Sequence, residues 1–287
     1  MRLPFLLARR FVAGESFQEA LPVIRALNHK GLSVTLDLLG EHVTRQKVAE
    51  TSRDAYIRLV RIIAKERARG AMHAGISIKL SMIGQKIDED YCLKNLHMLL
   101  AAAKECDVFV RLDMEGSDAT ASTISLFEAT FPEYPDHVGI VLQAYLKRTE
   151  RDVERMCALK APVRLCKGAY KESSEIAWQN MDIIREHFMA CAQELIAHGR
   201  YPGIATHDDK LISATKIFVA NRGIDRDRFE FQMLYGIRPQ TQEQIVSDGY
   251  GMRVYVPFGT QWAPYFTRRL RERKENVWFV LRNLVRA

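Results

Sequence analysis

The sequence predicts a (β/α)8 barrel of the TIM type, and three observations predict it. Eight short runs rich in branched and aromatic apolar residues recur along the 287 residues, at 33–38, 76–80, 108–113, 138–143, 163–166, 203–207, 229–233 and 252–256. From Asp37 to Tyr255 they are spaced about 31 residues apart, the length of one βα unit. Between them lie apolar positions with the period of a helix, and eight strands alternating with helices close most naturally into a parallel barrel. The rival, a doubly wound open sheet, would normally carry a Gly-x-Gly-x-x-Gly turn for a dinucleotide, and the chain has none.

Taken in order, residues 11–30 read as an extra helix ahead of the first strand. Over 49–69, Tyr56, Leu59, Val60 and Ile63 fall at i, i+3, i+4 and i+7, one face of a helix. Residues 176–198 and 241–248 read the same way. Gly31, Gly75, Gly199 and Gly223 sit where helices are expected to end, so each is expected in the left-handed conformation that ends a helix. The division expected is a helical segment at 1–30 and a catalytic barrel at 31–287, one domain overall, since no Gly/Ser/Pro-rich linker offers a cut.

A 47% hydrophobic composition is ample for one large core. No run of ~18 apolar residues occurs, which argues against a spanning helix. The basic, apolar start at Met1 to Arg10 is too short for a cleaved signal, so a cytoplasmic location is expected. The net charge of +7 is spread among mixed acids and bases, and the main basic cluster, Arg268 to Lys274, is broken by Glu272. That argues against nucleic acid, while a modest basic excess suits an anionic lipid surface. Cys92, Cys106, Cys157, Cys166 and Cys191 are odd in number and form no Cys-x-x-Cys pair. They read as small buried hydrophobes, and no metal-ligand spacing appears.

A barrel carries its chemistry at the C-terminal ends of its strands. Polar residues gather there: Asp37 and Glu41, Lys79 and Ser81, Asp113 and Glu115, Gln143, Arg164 and Lys167, Thr206 and His207, Gln232, and Tyr255. Any one alone is an ordinary solvated charge. Charges converging on one mouth must pair or meet a charged ligand, because buried unpaired charge is costly. After the eighth strand, Pro264 suits a first helical turn, and Tyr265, Arg268, Arg269 and Glu272 then share one face. Two guanidinium forks with a carboxylate beside them can grip a small carboxylate, Glu272 holding the forks in place.

From about Phe11 to Ala287 the chain resembles the proline dehydrogenase family, both one-domain bacterial enzymes and the matching domain of proline utilization A. The motifs that carry the resemblance are Asp37-Leu38-Leu39-Gly40-Glu41, Ile78-Lys79-Leu80, Arg111-Leu112-Asp113-Met114-Glu115, Leu142-Gln143-Ala144-Tyr145-Leu146, Arg164 to Tyr170, Ala205-Thr206-His207-Asp208, Phe229 to Gly236, and the Tyr-x-x-Arg-Arg-x-x-Glu helix at Tyr265 to Glu272. The family's pattern usually has Val where Cys166 stands, and many relatives carry more helices ahead of the first strand.

The resemblance implies FAD bound without a Rossmann fingerprint in a distorted barrel, with the eighth helix over the active site. It implies that Arg268, Arg269 and Lys79 hold the carboxylate of L-proline, with Asp113 as the counter-ion aligning them. Tyr255, Tyr265 and Leu234 would line the ring pocket, and Arg164 would lie by flavin N5. Met114, Gln143, Lys167, Gly168, Ala169, Thr206 and His207 would contact FAD, with Gln232 counted among the cofactor residues. A hydride would pass from proline C5 to flavin N5, giving 1-pyrroline-5-carboxylate, and electrons would go to a quinone, with peripheral contact at the inner face of the membrane. The motifs offer no base for the substrate amine and leave the oligomeric state open. Two rivals remain. A barrel acting on phosphorylated substrates would want Gly-rich loops after strands seven and eight, where only Gly236 and Gly259 occur. A non-enzymatic binding module leaves polar residues at so many strand ends without a purpose.

Overall fold

The computed structural model describes residues 5–40, 43–70 and 72–272, and the side chains of 6, 7 and 268–272 are outside the description. Two helices come first, α1 (Phe5–Ala8) and α2 (Phe17–His29). Then each strand is followed by a helix: β1 (Ser33–Leu38) and α3 (Gln46–Arg69), β2 (Ala74–Lys79) and α4 (Glu89–Glu105), β3 (Val110–Asp113) and α5 (Ser117–Thr130), β4 (Val138–Gln143) and α6 (Thr149–Ala158). The second half continues with β5 (Val163–Cys166) and α7 (Met181–His198), β6 (Gly203–Ala205) and α8 (Asp209–Arg222), β7 (Glu230–Leu234) and α9 (Pro239–Ser247), β8 (Gly251–Phe258) and α10 (Trp262–Glu272). The eight strands form a closed barrel in sequence order. Every ladder is parallel, and β1 closes it by pairing with both β2 and β8.

Strand side chains alternate between two faces, and the two faces here differ sharply in chemistry. Val34 and Leu36, Ile76 and Ile78, Val110 and Leu112, Val163 and Leu165, and Val254 and Val256 are buried in the main apolar cluster with residues of the surrounding helices. On α3 that cluster takes the expected stripe Tyr56, Leu59, Val60 and Ile63. The hydrophobic core is therefore the sheath between barrel and helices.

The expected N-terminal helix begins later than 11. Ser16 caps it, its hydroxyl accepting from Glu19 N at 3.3 Å, so α2 starts at Phe17. The helix expected from 176 begins at Met181, because the Asn180 side chain accepts from the backbone N–H of Asp182 and Ile183. Gly31 (φ +74°) and Gly223 (φ +61°) take the left-handed conformation expected of them. Two others do not. Gly75 lies inside β2, where a Cβ would meet Phe109 O at 2.7 Å. Gly199 has φ −81°, and a Cβ there would come within 2.5 Å of Leu195 O. Both are required for close approach rather than for handedness. Cys92, Cys157 and Cys191 are buried and Cys106 and Cys166 half-buried, all as free thiols. Among the described residues no helix is long and apolar enough to cross a membrane.

Candidate active site

On β1, β2, β3, β5, β7 and β8 the face that does not meet the helices carries polar side chains, and several of them bond across the lumen to strands that are not neighbours. Arg164 on β5 is 6% exposed. Its Nη1 donates to Asp113 Oδ1 of β3 at 2.8 Å and to Ser77 Oγ of β2 at 3.0 Å, and its Nε donates to Gln232 Oε1 of β7 at 2.5 Å. Ser77 Oγ donates in turn to Asp113 Oδ1 at 2.8 Å, and the Tyr255 hydroxyl of β8 donates to Asp113 Oδ2 at 2.7 Å. The Arg164 guanidinium lies 5.2 Å from the Tyr255 ring centroid, within cation–π range. Burial, then the charges of Asp113 and Asp37, hold the Tyr255 phenol well above its ordinary pKa. It is therefore a donor at neutral pH and not a base.

Lys79 is 8% exposed and lies 3.2 Å from Asp37 Oδ1. Burial works against its charge, but Asp37, then Asp113 and Tyr56, outweigh burial and hold its pKa above the ordinary value. The carboxylate bonded to Lys79 is thus Asp37, while Asp113, expected to align Lys79, is bonded to Arg164, Ser77 and Tyr255. Deeper in the lumen, Glu230 pairs with Arg253. Arg111 donates to the carbonyls of Pro162 at 2.6 Å and Ile140 at 3.2 Å. Burial, with Arg164 beside it, pushes the Arg111 pKa well down. Two glycines make room for these groups. A Cβ at Gly139 would stand 2.5 Å from Arg111 Nη1, and one at Gly203 would stand 2.2 Å from Gln232 Nε2.

The other expected residues surround this cluster at the C-terminal ends. Gln143 is buried and donates to Glu115 O at 2.9 Å, and Glu115 accepts from Ser81 Oγ at 2.8 Å. Met114 is buried beside them. Between β5 and α7, Lys167 pairs with Asp208 at 2.8 Å. Gly168 has φ +118° with no room for a Cβ against the Tyr145 ring, and Ala169 is exposed. Thr206 is buried, its hydroxyl accepting from Asp208 N at 3.1 Å, and His207 Nε2 accepts from Leu234 N at 3.0 Å. Leu234 and Tyr265 belong to one small apolar cluster with Phe11, Trp262 and Phe266, which fastens α10 to the N-terminal segment. Arg268, Arg269 and Glu272 fall on α10, but their side chains, like all of Glu41, lie outside the described residues. Burial pushes the Cys166 thiol up to about 12, so the residue standing where Val was expected is an inert one.

The strand-end criterion missed Ser77, Arg111, Glu230 and Arg253. The signal for them was available. Each stands two residues before a residue that was named, Lys79, Asp113, Gln232 and Tyr255, and so shares its face of the strand.

Among the described residues no cluster of His, Cys, Asp and Glu is placed to hold a metal. A family model described as proline dehydrogenase matches residues 20–282. Proline dehydrogenase 2 of Bacillus subtilis (strain 168) is 39% identical over 279 residues, 97% of this chain and 90% of that protein. The proline dehydrogenase of Deinococcus radiodurans is 38% identical over 286 residues, 98% of this chain and 91% of that protein. Among solved structures, proline utilization A from Bdellovibrio bacteriovorus, inactivated by N-propargylglycine, superposes with a TM-score of 0.87 at 27% identity over 93% of this chain. The chain spans 32% of the length of that solved protein. The family match takes in most of the sequence and the curated relatives run alongside it nearly end to end: the chain belongs to the proline dehydrogenase family.

Proposed function

We propose that the protein oxidises L-proline to 1-pyrroline-5-carboxylate with FAD as its cofactor and a quinone as electron acceptor, the first step of proline catabolism. The observation that carries this reading is the setting of Arg164. It is a guanidinium buried at the centre of a polar lumen, held at Nε and Nη1, with its Nη2 taking no acceptor among the described residues. A buried guanidinium with donors to spare fits a ring system that gains negative charge. Bound FAD supplies the hydride acceptor. Met114, Gln143, Lys167, Gly168, Ala169, Thr206, His207 and Gln232 would hold it.

The chain's own part is binding and orientation. Lys79, kept charged by Asp37, takes one end of the proline carboxylate, with Arg268 and Arg269 of α10 on the other. A clamp on one end of a small rigid ring fixes where its far carbon lies, and reaction requires an approach of about 3–3.5 Å. Tyr255 and Leu234 border the ring, with Tyr265 from α10. Tyr255, a proton donor bound to Asp113, is not the base for the substrate amine.

The test is a visible spectrum of purified protein before and after proline is added without oxygen. A yellow protein that bleaches is expected. A colourless protein that stays inactive after FAD is added, or a yellow one that proline leaves unchanged, would sink the reading. Weak cosedimentation with anionic vesicles at low salt, stronger after reduction, is expected of the quinone step.

A further inference from the structure

Glu230 has no role in the reading above, and it is one of the most fully engaged side chains in the lumen. It is 3% exposed. Its Oε1 accepts from Arg253 Nε at 2.5 Å and from Gln232 Nε2 at 2.6 Å. Its Oε2 accepts from Arg253 Nη2 at 3.0 Å and from the Tyr201 hydroxyl at 3.5 Å. Arg253 is tied to the far side of the barrel closure, donating to Val34 O of β1 at 3.1 Å.

A glutamine amide is nearly symmetric in shape, and the groups at its two ends decide which way it faces. A carboxylate at one end requires the NH2 to face it. The flipped amide would set its oxygen against the Glu230 carboxylate and its NH2 against the Arg164 Nε–H, losing both bonds and adding two repulsions. The charge on Glu230 therefore makes Gln232 present an oxygen to Arg164. Gly203 leaves the space that the amide fills, since a Cβ there would stand 2.2 Å from Gln232 Nε2.

We propose that Glu230, clamped by Arg253, is a positioning residue for the reaction: through the Gln232 amide it fixes the Arg164 guanidinium against the flavin. The proposal rests on the reading of Arg164 as the flavin's neighbour. A fixed positive group beside a ring that becomes more negative on reduction raises the midpoint potential, and one free to move does so less.

The experiment compares Glu230→Gln with the parent holoenzyme. The expected result is unchanged FAD content, a KM for proline within about threefold, kcat lower by roughly tenfold, and a midpoint potential lower by about 30 mV, the two-electron equivalent of tenfold. In a Gln232→Leu background, Glu230→Gln should move the potential no further, because its route to Arg164 is already cut. A purely structural role would lower the melting temperature and leave the potential alone. Since Glu230→Gln leaves Arg253 buried without its carboxylate, the pair Glu230→Gln with Arg253→Gln removes both charges together and should give the same potential shift. Parent-like potential in either folded variant overturns the proposal. Arg164→Gln, which removes the positive charge, separates the two ideas. If it too leaves the potential unchanged, the placement of Arg164 fails. If it shifts the potential while the Glu230 variants do not, the positioning role alone fails.

Discussion

A buried lysine ammonium needs a compensating partner, and Asp37 is that partner for Lys79. In the ladder its backbone partner is Asp113, and Asp37 stands opposite Ser77. The side chains cross this register: Lys79 reaches Asp37, and Ser77 reaches Asp113. The sequence named Asp37, Lys79 and Asp113 as strand-end groups, but a diagonal exchange between adjacent strands depends on side-chain reach and cannot be read from spacing. Asp37→Asn should leave the ammonium unpaired and cost about 3 kcal/mol of stability, read as a lower urea midpoint. A stability loss under about 0.5 kcal/mol would mean that Lys79 does not depend on Asp37. Arg268→Lys tests the clamp that the resemblance puts on α10. Lysine keeps the charge but not the two-donor fork, so kcat/KM should fall by about 30- to 1000-fold with FAD retained. A carboxylate analogue such as tetrahydro-2-furoic acid should lose affinity in parallel, and parent-like binding of the analogue would count against the assignment.

The eight strands were legible because their outward faces carry an unbroken apolar alternation, and three of them, 33–38, 138–143 and 163–166, match residue for residue. Helix starts were less legible because caps set them. Ser16 and Asn180 each stop the backbone before an apolar pattern that continues through them. Asp208 shows how a cap can also tie elements together. Its Oδ1 accepts from Lys210 N at the start of α8, while Oδ2 pairs with Lys167 ahead of α7 and with Arg185 on it. Partial burial raises its pKa, but the hydrogen bonds from Lys167 and Arg185 outweigh that and pull it to about 2. The unfolded chain titrates this group near ~3.9, so its stabilising share is whole above that pH and is lost as pH falls toward 2. Asp208→Asn should therefore lower the urea midpoint at pH 7, with the gap to the parent closing between pH 4 and 2. A gap of constant size across that window would rule the ion pairs out as its cause. On β4, Gly139→Ala should cost about 1–3 kcal/mol, since the new methyl would crowd Arg111 and the Pro162 carbonyl.

Barrels of this class usually fill their interior with branched apolar side chains. Here Arg111, Arg164, Arg253, Glu230, Gln232 and Asp113 fill much of it, and the apolar sheath outside must carry the fold. A ligand that binds only the folded lumen stabilises it by mass action. Free FAD at about 100 times its Kd should contribute about 2.7 kcal/mol and raise the melting temperature of apoprotein by about 5 °C. No shift at saturating FAD would contradict a flavin site in the lumen. The closed ladder has a consequence in time as well. β1 is finished only by β8, and the bond from Arg253 to Val34 joins residues 219 apart in the chain. At a synthesis rate of about 5–20 residues per second, one edge of β1 waits roughly 10–40 s on the ribosome before its partner exists. Val34, Leu36 and Leu38 lie along that waiting edge, so the nascent chain, more than the finished enzyme, is where aggregation and chaperone demand concentrate.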